Sequence, residues 1–455
     1  MSFPLFVLSL LLLASRARAE GCQLIEGNWY CRETNHTHYS GFHGSGAYND
    51  VVSMPDNGRC GFESRPYRGR LAPLDEDLSI HVRGPCHLTD VAVYTLLKEE
   101  PKPKSHQRRK RAQDWVTATI DGKVVSWRNN YHGGAEATRL PKVPPITSPR
   151  TGTQQPPPPP HHAAHARPPS RPHRVGPNHA SVSPPPAVPN DNADAACEPG
   201  NWERIAYYNA SHQKVHNMRF LGNYGGQASG VFDNTYGNSL SYLKADASGG
   251  AAAPETLRDA IIPSNKEFAI FSAEKCDKAS CGFSRTRDVA YSSSPPSLPS
   301  PVKTNSARKE GFGGADKIFL FRFSMPLDNN RGFNGDMPAI WLLNGRIPRT
   351  VQYGKCSCWT SKCGEVDLFE ALHAGSDKCK STFHIKNGGG SSDWFKRPVD
   401  RYITLAAIFH HETASVVIKI LPDHVPFAES LDDKTVRHWI RRHPDQTHFD
   451  FNNPY

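Results

Sequence analysis

The sequence predicts an all-β protein, and two observations lead to this. Apolar and polar residues alternate in runs such as Leu78–Val82 and Val91–Tyr94, which is typical of β-strands because successive side chains point to opposite faces. The longer region 197–455 consists of similarly short apolar segments, separated by Gly, Pro and Asn residues that favour turns. A chain of this kind buries its core between sheets.

The N-terminus resembles a secretion signal. The apolar run Leu5–Leu13 is followed by Ala17-Arg18-Ala19, so we expect residues 1–19 to be a signal peptide cleaved after Ala19. The run is too short to span a bilayer, and residues 449–455 contain no hydrophobic tail for a lipid anchor. The sequence therefore predicts a secreted protein without a membrane anchor.

Composition divides the rest of the chain into three parts. Residues 20–140 are predicted to form a small Cys-containing β domain, with a hairpin of Trp115–Ile120 and Lys123–Trp127 around an Asp-Gly turn. Residues 141–196 are rich in Pro and His and are predicted to be a disordered linker. Residues 197–455 form the large β domain.

Two segments leave alternatives open. Arg108–Arg111 is either a dibasic processing site or a basic linker. Ser292–Lys309 is of low complexity and cannot lie in a core, so it is either a surface loop or an artefact of the gene prediction.

The chain contains eleven cysteines, which in a secreted protein indicate disulfides, and the odd number leaves at least one unpaired or paired between chains. We expect Cys276 to pair with Cys281, and Cys363 to brace the acidic strand described below. Cys356, Cys358 and Cys363 lack a second Cys/His pair at zinc spacing, so a metal site is not predicted.

Secretion also bears on glycans and on charge. It makes the sequons at Asn35 and Asn209 usable for N-glycosylation. The net charge is +10, but a secreted protein rarely meets nucleic acid, so nucleic-acid binding is not expected.

The heptapeptide 364–370, Gly-Glu-Val-Asp-Leu-Phe-Glu, carries the main functional signal. Glu365 and Asp367 lie on one face of a strand, and a β-bulge at Leu368–Phe369 brings Glu370 to the same face. Carboxylates in an apolar run are costly to bury unless they share protons or meet a ligand. Two Glu side chains on one surface suit a retaining glycosidase, which places its two carboxyl groups about 5–5.5 Å apart. The alternative is a structural acidic strand that faces solvent or binds calcium.

The spacing Glu-x-Asp-x-x-Glu resembles the signature of the laminarinase-like branch of glycoside hydrolase family 16, whose fold is a β-jelly roll. Met337–Leu343 looks like the strand that precedes the catalytic strand in that family, and Ser381–His384 resembles the strand that follows it. Strands that usually close the jelly roll after this motif are missing there. The segments Phe220–Gly226 and Glu267–Phe271 resemble them upstream, so we expect a circularly permuted jelly roll.

This arrangement is similar to the fungal cell-wall family of circularly permuted 1,3-β-glucanases. The resemblance implies that Glu365 is the nucleophile, Glu370 the acid/base and Asp367 the residue that orients Glu365. It implies no cofactor, although a structural calcium ion often accompanies this kind of jelly roll. The expected substrate-binding residues are Trp341, Trp359, His384, Asn334 and Arg322, with Trp394 and Asp336 as weaker candidates.

Three functions fit this reading. The first is a secreted, endo-acting 1,3-β-glucan hydrolase that remodels the fungal cell wall by a retaining mechanism. The second is a transglycosylase that uses the same acids but passes the sugar to another glycan. The third is a non-catalytic glucan-binding wall protein, against which the intact pair of Glu residues argues. Each has cell-wall β-glucan as its partner.

Overall fold

A computed structural model describes residues 21–55, 57–97, 115–120, 123–128, 201–222, 232–233, 237–238, 240–251, 253–276, 308–309, 311–348, 353–444 and 446–452. The described residues of 21–97 and 201–452 belong to one compact unit. The hairpin strands at 115–128 belong to a second unit within residues 101–195. Among the described residues, no helix is long and apolar enough to cross a membrane.

Strands dominate the described chain, as the sequence predicts. A single turn of 3-10 helix covers Cys358–Ser361, and the α-helix α1 covers Asp433–Ile440. The strands are β1 (Gln23–Ile25), β2 (Asn28–Tyr30), β3 (His36–Ser40), β4 (His43–Ser53), β5 (Gly61–Arg70), β6 (Leu78–Arg83), β7 (Cys86–Leu96), β8 (Trp115–Ile120), β9 (Lys123–Arg128), β10 (Asn201–Asn209), β11 (Lys214–His216), β12 (Arg219–Gly222), β13 (Phe232–Asp233), β14 (Gly237–Asn238), β15 (Ser241–Tyr242), β16 (Ile261–Ile262), β17 (Glu267–Phe271), β18 (Lys275–Cys276), β19 (Arg308–Lys309), β20 (Lys317–Ser324), β21 (Ala339–Asn344), β22 (Glu365–Ala371), β23 (Lys378–Phe383), β24 (Phe395–Lys396), β25 (Ile403–His410), β26 (Ser415–Leu421), β27 (Ser430–Asp432) and β28 (Thr447–Asp450).

Two sheets form a sandwich, which confirms the predicted all-β class. One sheet has eight strands in the order β15-β12-β17-β6-β21-β22-β23-β24. The other has the order β11-β10-β7-β20-β25-β26-β3-β28, with β16 beside β7 and β27 beside β10. Almost all neighbours are antiparallel, and the exception is β28, which runs parallel to β3. The successive strands β25 and β26 pair directly.

The main core lies between the two sheets. Alternate residues of β6, Ile80 and Val82, point into it, and so do Phe319 and Phe321 of β20 from the opposite sheet. Burial of large apolar side chains on both inner faces contributes most of the stabilisation of such a sandwich. The alternate residues of the same strands point outward, so each sheet also has an outer face of its own.

The permuted strands take the predicted places. Residues 220–222 lie in β12 and residues 267–271 form β17, and these two strands pair with each other. β17 then pairs with β6, within the eight-stranded sheet that holds the acidic strand β22. Segments upstream of the acidic motif thus complete the sheet that contains it.

The prediction of a separate small domain at residues 20–140 is wrong for the part that the structure describes. β6 is a central strand of the eight-stranded sheet, and β7 and β3 belong to the other sheet. The inner-face residues Ile80, Val82, Val91 and Val93 belong to one core with Phe319, Phe321, Val366 and Leu368. The strands were read correctly as strands, but their partners lie hundreds of residues away, which local alternation cannot reveal.

Several predictions concern residues outside the described ranges: the signal peptide, the linker at 141–196, the basic run 108–111, the Cys276–Cys281 pair and most of 292–309. The hairpin at 115–128 is described, and β8 pairs with β9 in the predicted register. The described disulfides join Cys22 to Cys31, Cys60 to Cys356 and Cys358 to Cys363.

Candidate active site

The acidic strand β22 contains the predicted bulge. Against β21, Ile340 pairs with Phe369 and Trp341 pairs with Asp367, so Leu368 is skipped. Against β23, the register shifts between Asp367 and Glu370. The inner side of the strand carries Val366, Leu368, Phe369 and Ala371, which are all in the main core. The bulge therefore lets two successive apolar residues point inward, and this returns Glu370 to the outer face.

The three carboxylates of β22 open into one cleft of about 450 Å³ on the outer face of the eight-stranded sheet. Its walls combine aromatic rings with charged groups, as sugar-binding clefts do. The lining residues are Arg83, Glu267, Asn334, Trp341, Tyr353, Trp359, Glu365, Asp367, Glu370 and His384. Glu365, Asp367 and Glu370 are thus brought together as the sequence predicts.

Two hydrogen-bond donors hold the Glu365 carboxylate. The indole Nε1 of Trp359 donates to one oxygen, and the hydroxyl of Tyr353 donates to the other over 3.1 Å. Glu365 is only 5% exposed, and its burial, followed by the charge of Asp367, raises its pKa to about 7. The two donors oppose this rise because they stabilise the ionised form.

The loop that carries these donors is fixed from two sides. The Cys358–Cys363 disulfide closes the 3-10 turn that contains Trp359, just before the acidic strand, and the Cys60–Cys356 disulfide ties the loop to the start of β5. The backbone N–H of Asn49 in β4 donates to the Ser361 hydroxyl over 2.8 Å. The β4–β5 hairpin thus braces the loop that positions the partners of Glu365.

Glu370 faces a different partner. Arg83 Nη2 lies 3.0 Å from Glu370 Oε1, and the Glu370 side chain is 21% exposed. Burial, followed by the charge of Asp367, raises the pKa of Glu370 to about 7, and Arg83 opposes this rise. Since the charge of Asp367 raises the pKa of both Glu365 and Glu370, the two glutamates share one electrostatic environment. Two donors on Glu365 favour it as the group that stays ionised.

Asp367 lies between the two glutamates and pairs with the predicted histidine. His384 Nε2 lies 2.9 Å from Asp367 Oδ2. The hydrogen bond to Asp367 raises the pKa of His384, which favours the imidazolium form. Asp367 is thereby held in place by a cation, and its negative charge bears on both glutamates.

Trp341 forms part of the cleft floor. It is 3% exposed, and its ring stacks on that of His81 with 5.3 Å between the centroids. Burial lowers the pKa of His81 to about 3, so this imidazole stays neutral. Among the described residues, nothing accepts a hydrogen bond from Trp341 Nε1. Because Trp341 lines the cleft, its unpartnered N–H makes it a candidate donor to a ligand oxygen.

Arg322, predicted to bind substrate, lies on the other sheet. Ile318 and Leu320 of β20 point to the outer face of the ten-stranded sheet. Arg322 is the next alternate residue of this strand and points the same way. Its guanidinium lies 3.4 Å from Thr404 Oγ1, away from the cleft. Because side chains alternate along a strand, Arg322 lies on the far side of the sandwich from the cleft.

Two weaker candidates also lie elsewhere. Asp336 is fully buried and forms an ion pair of 2.6 Å with Arg397, so its role is structural. Trp394 packs against the Lys378 ammonium and does not line the cleft. Asn334 does line it, as predicted.

Three cleft residues were missed by sequence reasoning: Arg83, Glu267 and Tyr353. The strand Leu78–Val82 was recognised, and extending its alternation by one residue places Ser79, His81 and Arg83 on one face. That signal was available. The sequence around Tyr353 shows no periodicity, so it offered no comparable signal for this residue.

Metal and glycosylation predictions remain predictions. In the described part of the chain, no group of three or more His, Cys, Asp or Glu side chains is arranged to hold a metal ion. Asn35 is exposed. Asn209 is half-buried, and its amide nitrogen donates to Asp90 Oδ1 over 2.5 Å.

The fold and the cleft define a β-sandwich protein with an acidic, aromatic-lined cleft on one sheet. Two family models match the chain: the C-terminal part of the cell wall protein YJL171C/Tos1 family matches residues 200–293 and 300–439, and the N-terminal part matches residues 35–96. The chain belongs to this family.

Curated relatives support the same assignment. A protein of Arthroderma benhamiae named "Probable circularly permuted 1,3-beta-glucanase" is 38% identical over 92% of this chain and 91% of its own length. Relatives in Candida albicans and Saccharomyces cerevisiae, both named as probable circularly permuted 1,3-beta-glucanase TOS1, are 36% and 34% identical, each over 92% of this chain and 93% of their own length. The comparison with solved structures gave no match.

Proposed function

We propose that this protein is a secreted, endo-acting 1,3-β-glucan hydrolase that remodels the fungal cell wall with retention of configuration. The observation that carries the proposal is the grouping of Glu365, Asp367 and Glu370 on the floor of one cleft, with two donors aimed at Glu365. The names of the relatives support the substrate class.

In the first step, an oxygen of ionised Glu365 attacks the anomeric carbon, and the bond from that carbon to the glycosidic oxygen breaks. Glu370 transfers its proton to the departing oxygen, which leaves as a hydroxyl group. The pKa of Glu370, raised to about 7 by burial and by Asp367, keeps this proton available near pH 7, where the two donors on Glu365 favour the ionised form of that residue. The product is a glycosyl ester of Glu365.

In the second step, ionised Glu370 removes a proton from a water molecule whose oxygen attacks the same carbon. The ester bond breaks, and Glu365 leaves as a carboxylate. Trp359 and Tyr353 stabilise that carboxylate because each donates a hydrogen bond to it. Asp367, which is held by His384, orients Glu365 toward the two donors Trp359 and Tyr353.

Substrate is bound by the aromatic side of the cleft. The unpartnered Nε1 of Trp341 donates to a sugar hydroxyl, and the partly exposed ring of Trp359 stacks on a pyranose face. Asn334 and His384 add polar contacts. Secretion exposes Asn35 and Asn209 to glycosylation.

The test is the release of reducing ends from β-1,3-glucan by the secreted protein and by the Glu365→Gln and Glu370→Gln variants. We expect each variant to lose at least about 10²-fold in kcat/KM, because each removes a group that acts in the transition state. The matched control is Glu429→Gln, which changes a side chain that is 93% exposed and should retain activity.

Product analysis separates this proposal from its rivals. Longer glycans without net reducing ends would replace the hydrolase with a transglycosylase. Retention of the wild-type protein on insoluble glucan without any turnover would replace it with a binding protein. Turnover that survives both Gln substitutions would overturn the assignment of the two carboxylates.

A further inference from the structure

Arg83 lies between two carboxylates that come from different strands. Its Nη2 is 3.0 Å from Glu370 Oε1 in β22, and its Nη1 is 3.6 Å from Glu267 Oε1 in β17. Its Nε donates to the Met337 carbonyl over 2.7 Å, and its guanidinium lies 5.9 Å from the centre of the Trp341 ring. The guanidinium is therefore fixed in place while both of its terminal nitrogens face acids.

An arginine beside an acid/base residue poses a physical problem. Arg83 favours the ionised form of Glu370, whereas the first step of the proposed reaction needs the protonated form. When Glu370 holds its proton, Arg83 loses that ion pair although its side chain is only 12% exposed. A nearly buried cation without a counter-charge is costly. Glu267, whose side chain is 42% exposed, supplies a second carboxylate within reach.

We propose that Arg83 is a positioning residue that exchanges its ion pair between Glu267 and Glu370 as Glu370 gains and loses its proton. With Glu370 protonated, Arg83 pairs with Glu267. When the proton passes to the glycosidic oxygen, the new carboxylate of Glu370 accepts from Nη2. When Glu370 takes a proton from water, Arg83 returns to Glu267. This inference rests on the proposed function, because the acid/base role of Glu370 does.

Other titratable groups around Glu370 also affect its pKa. Asp367 on the same strand raises the pKa of Glu370, and Arg83 and His384 lower it. Tyr30 in β2 and the Cys379 thiol in β23 interact with it electrostatically, but burial raises the pKa of Tyr30 to about 12 and that of Cys379 above the ordinary range, so both stay neutral. Among these groups, Arg83 is the one that also contacts a second carboxylate of the cleft.

The test is the pH dependence of kcat/KM, whose alkaline limb reports the loss of the acid's proton in the free enzyme. In Glu267→Gln, Arg83 pairs with Glu370 alone and a like charge is removed, so the alkaline limb should move to lower pH by about 1 unit. In Arg83→Met, the cation is lost, so the limb should move to higher pH by about 1 unit. The exchange thus predicts opposite shifts for two neighbouring substitutions.

The matched control is Arg437→Met, which breaks an exposed ion pair of 2.9 Å with Glu412 and should leave the profile unchanged. If Arg83→Met fails to fold, Arg83→Lys keeps the charge but loses the two-nitrogen fork, and it should give a smaller alkaline shift. Because Glu267 is nearly half exposed, Glu267→Gln carries the test by itself if neither Arg83 variant folds.

A second readout does not depend on turnover. The Glu370 carboxyl carbon is titrated by NMR in protein labelled with ¹³C at glutamate, with the Glu370→Gln variant to assign the signal. Opposite pKa shifts in a protein that cleaves no glucan would uphold the exchange and overturn the proposed function. Shifts in the same direction, or no shift with Glu267→Gln, would overturn the exchange.

Discussion

The two outer faces of the sandwich are built from opposite kinds of residue. On the eight-stranded sheet, the outward positions of β6 and β22 carry His81, Arg83, Glu365 and Asp367, all nearly buried and polar. On the ten-stranded sheet, the outward positions carry apolar residues that pack under α1. These are Ala92, Tyr94, Trp202, Ile318, Leu320, Ala406, Ile408, Val417 and Leu421, with Val436, Trp439 and Ile440 from the helix side.

Two tryptophans, one on each outer face, differ in their hydrogen bonding. Trp202, on the helix-covered face, donates its Nε1 proton to Asp433 Oδ1 over 3.2 Å at the start of α1. Trp341, on the cleft face, is also buried, but its Nε1 has no acceptor among the described residues. Buried polar groups are normally satisfied, so an unsatisfied one in a cleft marks a place for a ligand.

The contrast shows that one face stabilises the fold, whereas the other lowers its stability and carries the groups of the proposed reaction. Apolar burial under α1 stabilises the protein. The carboxylates of the cleft oppose folding when they are ionised, because burial and mutual repulsion raise their pKa values. Substitutions on the two faces should therefore act on different quantities.

The largest expected effect on stability lies on the helix-covered face. Trp439→Ala should lower the free energy of unfolding by about 3–5 kcal/mol, because it removes a large buried side chain and leaves a cavity. Chemical denaturation measures it, and kcat/KM per folded molecule should not change. Trp29→Ala is the control, because Trp29 is 49% exposed and should cost little. A mild effect at Trp439 would mean that α1 contributes little to the sandwich.

A substitution on the cleft face should instead raise the free energy of unfolding. The pKa of Glu365 is raised to about 7 in the folded protein, so between pH 4.5 and 7 the folded state binds more protons than the unfolded state. Stability must then fall as the pH rises through this window. Glu365→Gln removes the charge, and it should be more stable than the wild type at pH 8 by up to about 3 kcal/mol.

Thermal unfolding at pH 4 and pH 8 measures this difference, which should vanish at pH 4, where Glu365 is protonated in the folded wild type. Glu429→Gln, at an exposed site, should show no such pH dependence. A Glu365→Gln variant that is less stable than the wild type at pH 8 would contradict a cost of ionisation at this site.

The sequence was most informative where neighbours along the chain decide the structure. Alternation and the apolar pair Leu368–Phe369 were enough to predict β22, its bulge and the convergence of its three acids. The resemblance to known glucanases added Trp341, Trp359 and His384, which all line the cleft. These side chains lie on, or close to, strands adjacent to β22.

The sequence was least informative where distant segments pair. Nothing local to β6 or β7 indicates that they are central strands of the two sheets, so residues 20–140 were misread as a domain. The same error hid Arg83, which pairs with Ala339 of β21 and so lies across that strand from Glu370. The prediction for Arg322 was wrong for a different reason. Its side chain lies on the outer face of the ten-stranded sheet, and the core separates it from the cleft.

Two tyrosines, one on each face, give the comparison with the smallest expected effects. Tyr353 donates to Glu365 over 3.1 Å on the cleft face, and Tyr94 donates to the Ala428 carbonyl over 2.8 Å on the helix-covered face. Removing either hydroxyl should cost about 1 kcal/mol, the net value of one hydrogen bond. The two costs should appear in different measurements, because only one of the acceptors takes part in the proposed reaction.

Tyr353→Phe should lower kcat/KM about 5-fold. It should also move the acid limb of the pH profile to higher pH, because the lost donor had favoured the ionised form of Glu365. Tyr94→Phe should leave the pH profile intact and lower the free energy of unfolding instead. An unchanged acid limb in Tyr353→Phe would show that this hydroxyl does not stabilise the nucleophile, and Trp359 would then be the donor that keeps Glu365 ionised.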